Sequence, residues 1–326
     1  MQYVSMKRLM SVALVALPLL VFSPTLSARS FMAWAAEKYL KLSGSKKIFT
    51  SEKVFNKMIS RLSESNREAY LFPDYQYGVP TEETSEGLLK VLRINPQENP
   101  ESVVFYFHGG AYVNQPTKEH FTFLKNLVRK SGCEVRLVVY PKAPCYTADL
   151  TYSLFEQFYD RYLSEGHTSK LVFMGDSAGG GLSLGMSKYL AGEGKKGPDE
   201  IVLLSPWLDV EMTNPGIPAY EKSDPMLSAW GLVECGRMWA GKWDMKDSRI
   251  SPIYGSNEGL APITMFVGTH EIFCPDIEDY AKTLKASGHP CTLYKENKMN
   301  HVYPIYPIPE AKKAVKIIAQ IVNPGI

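Results

Sequence analysis

Short apolar runs alternate with stretches of helical periodicity along most of this chain, and that alternation leaves few folds open. Residues 103–107, 135–140, 171–174, 201–204 and 263–267 are runs of four to six mostly apolar residues. Residues 292–295 form a short sixth one, and residues 88–94 read as a strand ahead of them all. Helical spacing occupies residues 121–130, 150–163, 182–190, 277–286 and, at the end, about 310–322. Continuous apolar runs suit strands covered on both faces. Strand and helix in alternation predict an α/β fold with a mostly parallel central sheet and helices on both faces. In such sheets ligands bind where strands end at their carboxyl edge, so chemistry is expected directly after these runs.

The flanks of this pattern carry less information. Residues 31–64 predict helix in two pieces, split near Ser43-Gly44-Ser45. Residues 206–250 interrupt the rhythm with Trp207, Trp230, Trp239 and Trp243 among several prolines, either a wall near the site or ordinary packing. The net charge of +2 and the lack of a basic stripe give no reason to expect a nucleic-acid partner. The five cysteines are scattered without C-x-x-C spacing, which suggests buried or idle thiols and no metal site. At the start, Lys7 and Arg8 precede an apolar stretch over residues 9–22 and small residues ending in Ser27-Ala28. That is the order of a secretory signal peptide. The stretch is shorter than the roughly 20 residues that span a bilayer, but residues 23–36 stay apolar enough for an uncleaved anchor. The expected organisation is a signal peptide or membrane anchor over residues 1–28 and one domain over 29–326. A secreted or membrane-anchored protein follows, with a cytoplasmic one as the alternative.

Three segments stand where chemistry is expected. Gly175-Asp176-Ser177-Ala178-Gly179 follows the run 171–174 and opens a helical stretch, the strand–turn–helix setting of a nucleophile elbow. The turn lifts a serine above the sheet, and the flanking glycines avoid the clashes a Cβ would make. The helix N-terminus behind Ser177 favours developing negative charge. His108-Gly109-Gly110-Ala111-Tyr112 follows the run 103–107, and its backbone N–H groups can turn toward an oxyanion. A serine hydroxyl also needs a base, and the base needs a carboxylate to orient it. His301, in a loop after the last short strand, is the base this order predicts. Glu271, after the run 263–267, is the preferred acid, with Asp276 next and Asp209 third.

Together these segments resemble the hormone-sensitive-lipase-type esterases of the α/β-hydrolase superfamily. His108-Gly109-Gly110 matches the His-Gly-Gly motif, and residues 175–180 match Gly-Asp-Ser-Ala-Gly-Gly. Residues 140–144 are similar to Tyr-Arg-Leu-Ala-Pro, and residues 205–209 and 224–228 resemble two further segments. The resemblance covers about residues 70–326. It implies an α/β-hydrolase fold, hydrolysis of small-molecule carboxylic esters of short to medium acyl chain, no cofactor, and a helical cap from residues 29–75. It also implies Ser177, Glu271 and His301 as the triad, with the N–H groups of Gly109, Gly110 and Ala178 as oxyanion hole. Tyr112, Tyr140 and Trp207 are expected to shape the substrate pocket. Ala111 stands where a third glycine is common, which is tolerable if its φ stays negative. Cys145 replaces a glutamate, and Glu271 replaces an aspartate. A lactone hydrolase or acyltransferase would use the same residues, and an inactive, anchored binding protein could reuse the fold.

Overall fold

The structure, a computed structural model, describes residues 29–326, so the expected signal peptide or anchor over 1–28 lies outside the described residues. Three helices come first: α1 (Phe31–Ser43), α2 (Lys46–Thr50) and α3 (Glu52–Ser65). Ser30 caps α1 by accepting the Ala33 N–H, and Gly44 ends it in a left-handed conformation. The strands and helices that follow are β1 (Thr81–Glu86), β2 (Leu89–Ile94), β3 (Ser102–Phe107), α4 (Lys118–Ser131), β4 (Glu134–Val139), α5 (Ala148–Ser164), β5 (Lys170–Asp176), α6 (Ala178–Gly192) and β6 (Glu200–Leu204). Two helices fill the interrupted stretch, α7 (Ile217–Ser223) and α8 (Ala229–Ala240). Then come β7 (Ile263–His270), α9 (Cys274–Ala286), β8 (Cys291–Asn300), a 3-10 turn (Tyr303–Ile305) and α10 (Pro309–Val322).

The eight strands form one sheet in the order β1-β2-β4-β3-β5-β6-β7-β8. β1 and β2 run antiparallel to their neighbours, and every pairing from β4 through β8 is parallel. Alternate side chains of the fully buried strands feed two cores. Phe105, Phe107 and Phe173 join α5, α6, α8 and α9 on one face, while Val104, Tyr106 and Val172 join α4 and α10 on the other. This is the doubly covered sheet that the continuous apolar runs require.

The differences from expectation sit at the edges. β1 has the sequence Thr-Glu-Glu-Thr-Ser-Glu and is nearly all exposed, so a strand that belongs to the hairpin edge carries no apolar signal. α6 begins at Ala178, four residues before its first leucine, because the elbow runs straight into the helix. The N-terminal helices dock by specific contacts. Phe49 of α2 packs so closely on Gly231 of α8 that a Cβ there would meet its Cα at 2.6 Å. Just past α3, the Asn66 amide donates to the carbonyls of Val113 and Ala143. Among the described residues no helix is long and apolar enough to cross a membrane.

Candidate active site

Ser177 sits between β5 and α6 with φ 53° and ψ −122°, a strained backbone worth about 1–3 kcal/mol. Its surroundings hold it there. Its N–H donates to Leu204 O at the end of β6, and its carbonyl accepts from Gly181 N and Trp207 N. α6 can start this close to β3 only because residue 179 is glycine. A Cβ there would lie 2.0 Å from the Phe107 carbonyl oxygen.

β7 and β8 bring the other two side chains in. Their pairing sets His270 opposite Asn300, so the next residue of each strand, Glu271 and His301, emerges side by side. His301 Nε2 lies 2.9 Å from Ser177 Oγ, and His301 Nδ1 lies 2.7 Å from Glu271 Oε2. An ionised carboxylate only accepts, so Nδ1 carries the proton and Nε2 offers its lone pair to the serine hydroxyl. Phe273 closes edge-on against the His301 ring at 5.1 Å. All three residues are buried, with Glu271 fully so.

Three further groups, Ser205, Gly268 and Asp224, support the acid and the loop beside it. The Ser205 hydroxyl donates to Glu271 Oε1 at 2.9 Å and accepts from the Val302 N–H, tying the acid to the backbone beside His301. The Gly268 N–H donates to the same carboxylate oxygen. Asp224 accepts from the N–H groups of Met226, Leu227 and Ile272, which pins the loop before α8 to the residue after Glu271. The strand-end rule could have found Ser205, the first residue after the run 201–204. Neither of the other acid candidates bonds to His301, whose Nδ1 is taken by Glu271. Asp209 accepts from Glu211 N and from Thr213 N and Oγ1. Asp276 is buried with one oxygen lacking a partner, and its pKa is pushed up to about 7 by burial and then by Asp209.

The glycine-rich loop after β3 departs from expectation in three respects. First, the Gly109 N–H is already committed: it donates to Asp176 Oδ1 at 2.9 Å. This corrects its place in the oxyanion hole, because a donor satisfied by a buried carboxylate is not free for substrate. The N–H groups of Gly110 and Ala178 have no protein acceptor among the described residues. Second, Ala111 has φ 54°, not negative, and follows Gly110 at φ 124° and precedes Tyr112 at φ 62°. Third, Tyr112, Tyr140 and Trp207 do not open onto a pocket. They are at most 1 % exposed, and Tyr112 stacks on Trp239 at 4.5 Å and on Trp207 at 5.5 Å, supporting the loop from behind.

Side chains from distant elements hold this loop. Asp176 also accepts from Tyr106 Oη at 2.7 Å and pairs with His120 Nε2 at 3.2 Å. Burial pushes the Asp176 carboxyl up, but His120, Tyr106 and Gly109 outweigh it and hold it below its ordinary value. Tyr140 Oη donates to His108 O, and His108 Nδ1 lies 2.7 Å from Gly109 O, which can only accept. A trans peptide points its N–H opposite its carbonyl, so holding Gly109 O on the ring turns the Gly110 N–H the other way. Burial, Lys142 and His120 keep His108 well below its ordinary pKa, hence neutral.

A family profile for the alpha/beta hydrolase fold matches residues 104–305, which include the elbow, the glycine loop, Glu271 and His301. The chain belongs to the α/β-hydrolase fold family. Among its relatives is a triacylglycerol lipase of Mycobacterium tuberculosis, 28% identical over 193 residues, which are 59% of this chain and 40% of the relative. The hormone-sensitive lipase of Mus musculus is 29% identical over 166 residues, 48% of this chain and 22% of that protein. The chain thus spans less than half the length of both. The crystal structure of a candidate esterase from Staphylococcus aureus superposes with TM-score 0.80 at 31% identity, covering 85% of this chain and 95% of the other. The hormone-sensitive lipase among these relatives agrees with the resemblance carried by the His108-Gly109-Gly110 and Gly175–Gly180 motifs.

Proposed function

We propose that this α/β-hydrolase chain is a serine carboxylesterase acting on small-molecule carboxylic esters of short to medium acyl chain. The reading is carried by the hydrogen-bonded chain Ser177–His301–Glu271, at 2.9 and 2.7 Å. Ser177 Oγ attacks the ester carbonyl while His301 Nε2 accepts its proton, and Glu271 stabilises the imidazolium that results. The oxyanion meets the N–H groups of Gly110 and Ala178, at the N-terminus of α6. His301 then returns the proton to the departing alcohol, and water repeats the sequence on the acyl-enzyme. The lipase and esterase names of the relatives support an ester substrate. The acyl range rests on the family resemblance alone.

Two further parts of the reading concern the N-terminus. The seat of Phe49 on α8 and the reach of Asn66 to the loop behind Gly110 support residues 29–75 as a helical cap on a single domain over 29–326. The basic, apolar and small-residue order of residues 1–28 supports export or membrane anchoring.

Ser177→Ala tests the reaction. Alanine keeps the Cβ already present, so the turn is no more strained than before. Hydrolysis of p-nitrophenyl esters is expected to fall by about 10⁴–10⁶-fold, with the thermal midpoint moved by no more than about 2 °C. Retention of most of the activity would overturn the assignment.

A further inference from the structure

The first helix is built inside out. With 3.6 residues per turn, Ala33 and Glu37 share the face of α1 turned to the body, and both are buried. The opposite arc carries Phe31, Tyr39 and Leu42 with Lys38, flanked by Met32 and Trp34. Phe31 is 76% exposed, Tyr39 72% and Leu42 86%. Five of the eight large apolar side chains exposed among the described residues lie on this one helix. A surface helix ordinarily turns such side chains to the core.

The inward face is secured by charge instead. Glu37 pairs with Arg29 and Lys41, each at 2.6 Å, and with His270 Nδ1 at 2.9 Å. Ser30 donates from both its N–H and its hydroxyl to Glu310 at the start of α10. The helix is therefore held in place mainly by polar contacts and the small Ala33, and most of its large apolar side chains stay exposed. A contiguous exposed patch of this kind marks an interaction surface.

We propose that the outward face of α1 lies on an anionic lipid surface. Its composition fits that occupant. Phe31 stacks on Trp34 at 5.5 Å, and the Lys38 ammonium lies 5.7 Å from the Trp34 ring. Aromatic rings sit at the headgroup level of a bilayer, and lysine stems lie along them with the charge reaching outward. The charge is complementary as well. Glu37 is the helix's one carboxylate, faces inward and is paired with Lys41, so the outer arc presents Lys38 with no carboxylate of its own helix beside it. The order of the chain agrees, since the apolar stretch over residues 9–22 ends only nine residues before Phe31. Through Glu37 and His270 the same helix is tied to the residue preceding Glu271, so the lipid contact borders the site. The inference does not depend on the proposed reaction.

Flotation of the full chain with vesicles of phosphatidylcholine and phosphatidylserine tests it. Wild type is expected to float. A variant carrying Phe31→Ser, Trp34→Ser, Tyr39→Ser and Leu42→Ser is expected to bind at least about tenfold more weakly, with unchanged thermal unfolding. Lys38→Glu, which leaves the Glu37 pairs intact, is expected to weaken the preference for phosphatidylserine, and an unchanged preference would overturn the choice of an anionic surface. Equal flotation of wild type and the fourfold variant would overturn the inference, since the first 28 residues would then carry any binding. Wild type that does not float would overturn it too, as would a dimer abolished by the fourfold variant without vesicle binding. If that variant unfolds, Trp34→Phe decides through quenching by brominated lipid: smaller quenching than wild type supports the lipid contact, and equal quenching overturns it.

Discussion

The two strained turns of the site, the elbow at Ser177 and the glycine loop at residues 108–112, reach their conformations by different means. The elbow holds one non-glycine residue at positive φ, and its specification is local: small residues on either side let strand and helix close up around it. The loop holds Gly110, Ala111 and Tyr112 at positive φ in succession. Locally, the N–H groups of Val113 and Asn114 donate to Gly110 O and close its far end. Its near end is held from outside, by Asp176 on the Gly109 N–H, by Tyr140 on the His108 carbonyl, and by the aromatic stack behind. A turn fixed by its own sterics is robust to distant change, whereas a turn fixed from outside fails with its anchors.

The comparison breaks most sharply at Gly179. In Gly179→Ala the new Cβ meets the backbone of Phe107 and His108, which no rotamer change relieves. The substitution is expected to cost more than about 4 kcal/mol in denaturant unfolding. The gain in helix propensity, about 1 kcal/mol, cannot offset it. A near-neutral result would show that the elbow, too, is held from outside.

Asp176→Ala removes the main anchor of the loop and leaves the elbow's glycines untouched. Gly109 loses its acceptor, Gly110 loses its fixed direction, and kcat is expected to fall on the order of 10²-fold with KM little moved, the size of one lost oxyanion donor. Stability should fall as well, since Tyr106 and His120 lose a buried partner. Unchanged kcat would mean that the loop shapes itself.

This contrast also explains what could be read from the sequence. Ser177, His301 and Glu271 were legible because each directly follows a strand, and strand ends in a parallel sheet share one edge. The Glu271 and Asp276 alternatives separate only through the register that sets His270 opposite Asn300, which no local pattern encodes. Gly109 departs from its expected place in the oxyanion hole because its N–H bonds a carboxylate 67 residues away. Tyr112 and Trp207 were misassigned for a similar reason, since a large aromatic beside a site motif reads alike whether it lines a pocket or backs a loop. β1 was missed because an edge strand exposed to water needs no apolar residues.

A gentler perturbation of the loop is deprotonation of His120 in its anchor with Asp176. Burial alone would lower the His120 pKa, but the Asp176 carboxylate outweighs it and raises the value above 6.5. A raised histidine contributes stability that is fully present below pH 6.5 and is lost as pH climbs through the folded-state value. Asp176, held below 3.8, loses its contribution only as the solution becomes strongly acidic. Unfolding free energy is therefore expected to decline as pH rises above 6.5, and His120→Gln should flatten that slope while leaving the acid limb. An equal slope in the variant would remove His120 as the group responsible.

The smallest effect is expected at Ala111. A left-handed backbone costs alanine about 1–2 kcal/mol that glycine does not incur. Glycine also gives the unfolded chain more freedom, worth about 0.4–1 kcal/mol in the opposite sense. Ala111→Gly should therefore stabilise by at most about 1.5 kcal/mol, visible as a rise of a few degrees in Tm. Because the anchors at Gly109 and His108 remain, kcat should not move. A drop in kcat would show that the alanine methyl, rather than those anchors, keeps the Gly110 N–H in place, and the loop would then be specified as locally as the elbow.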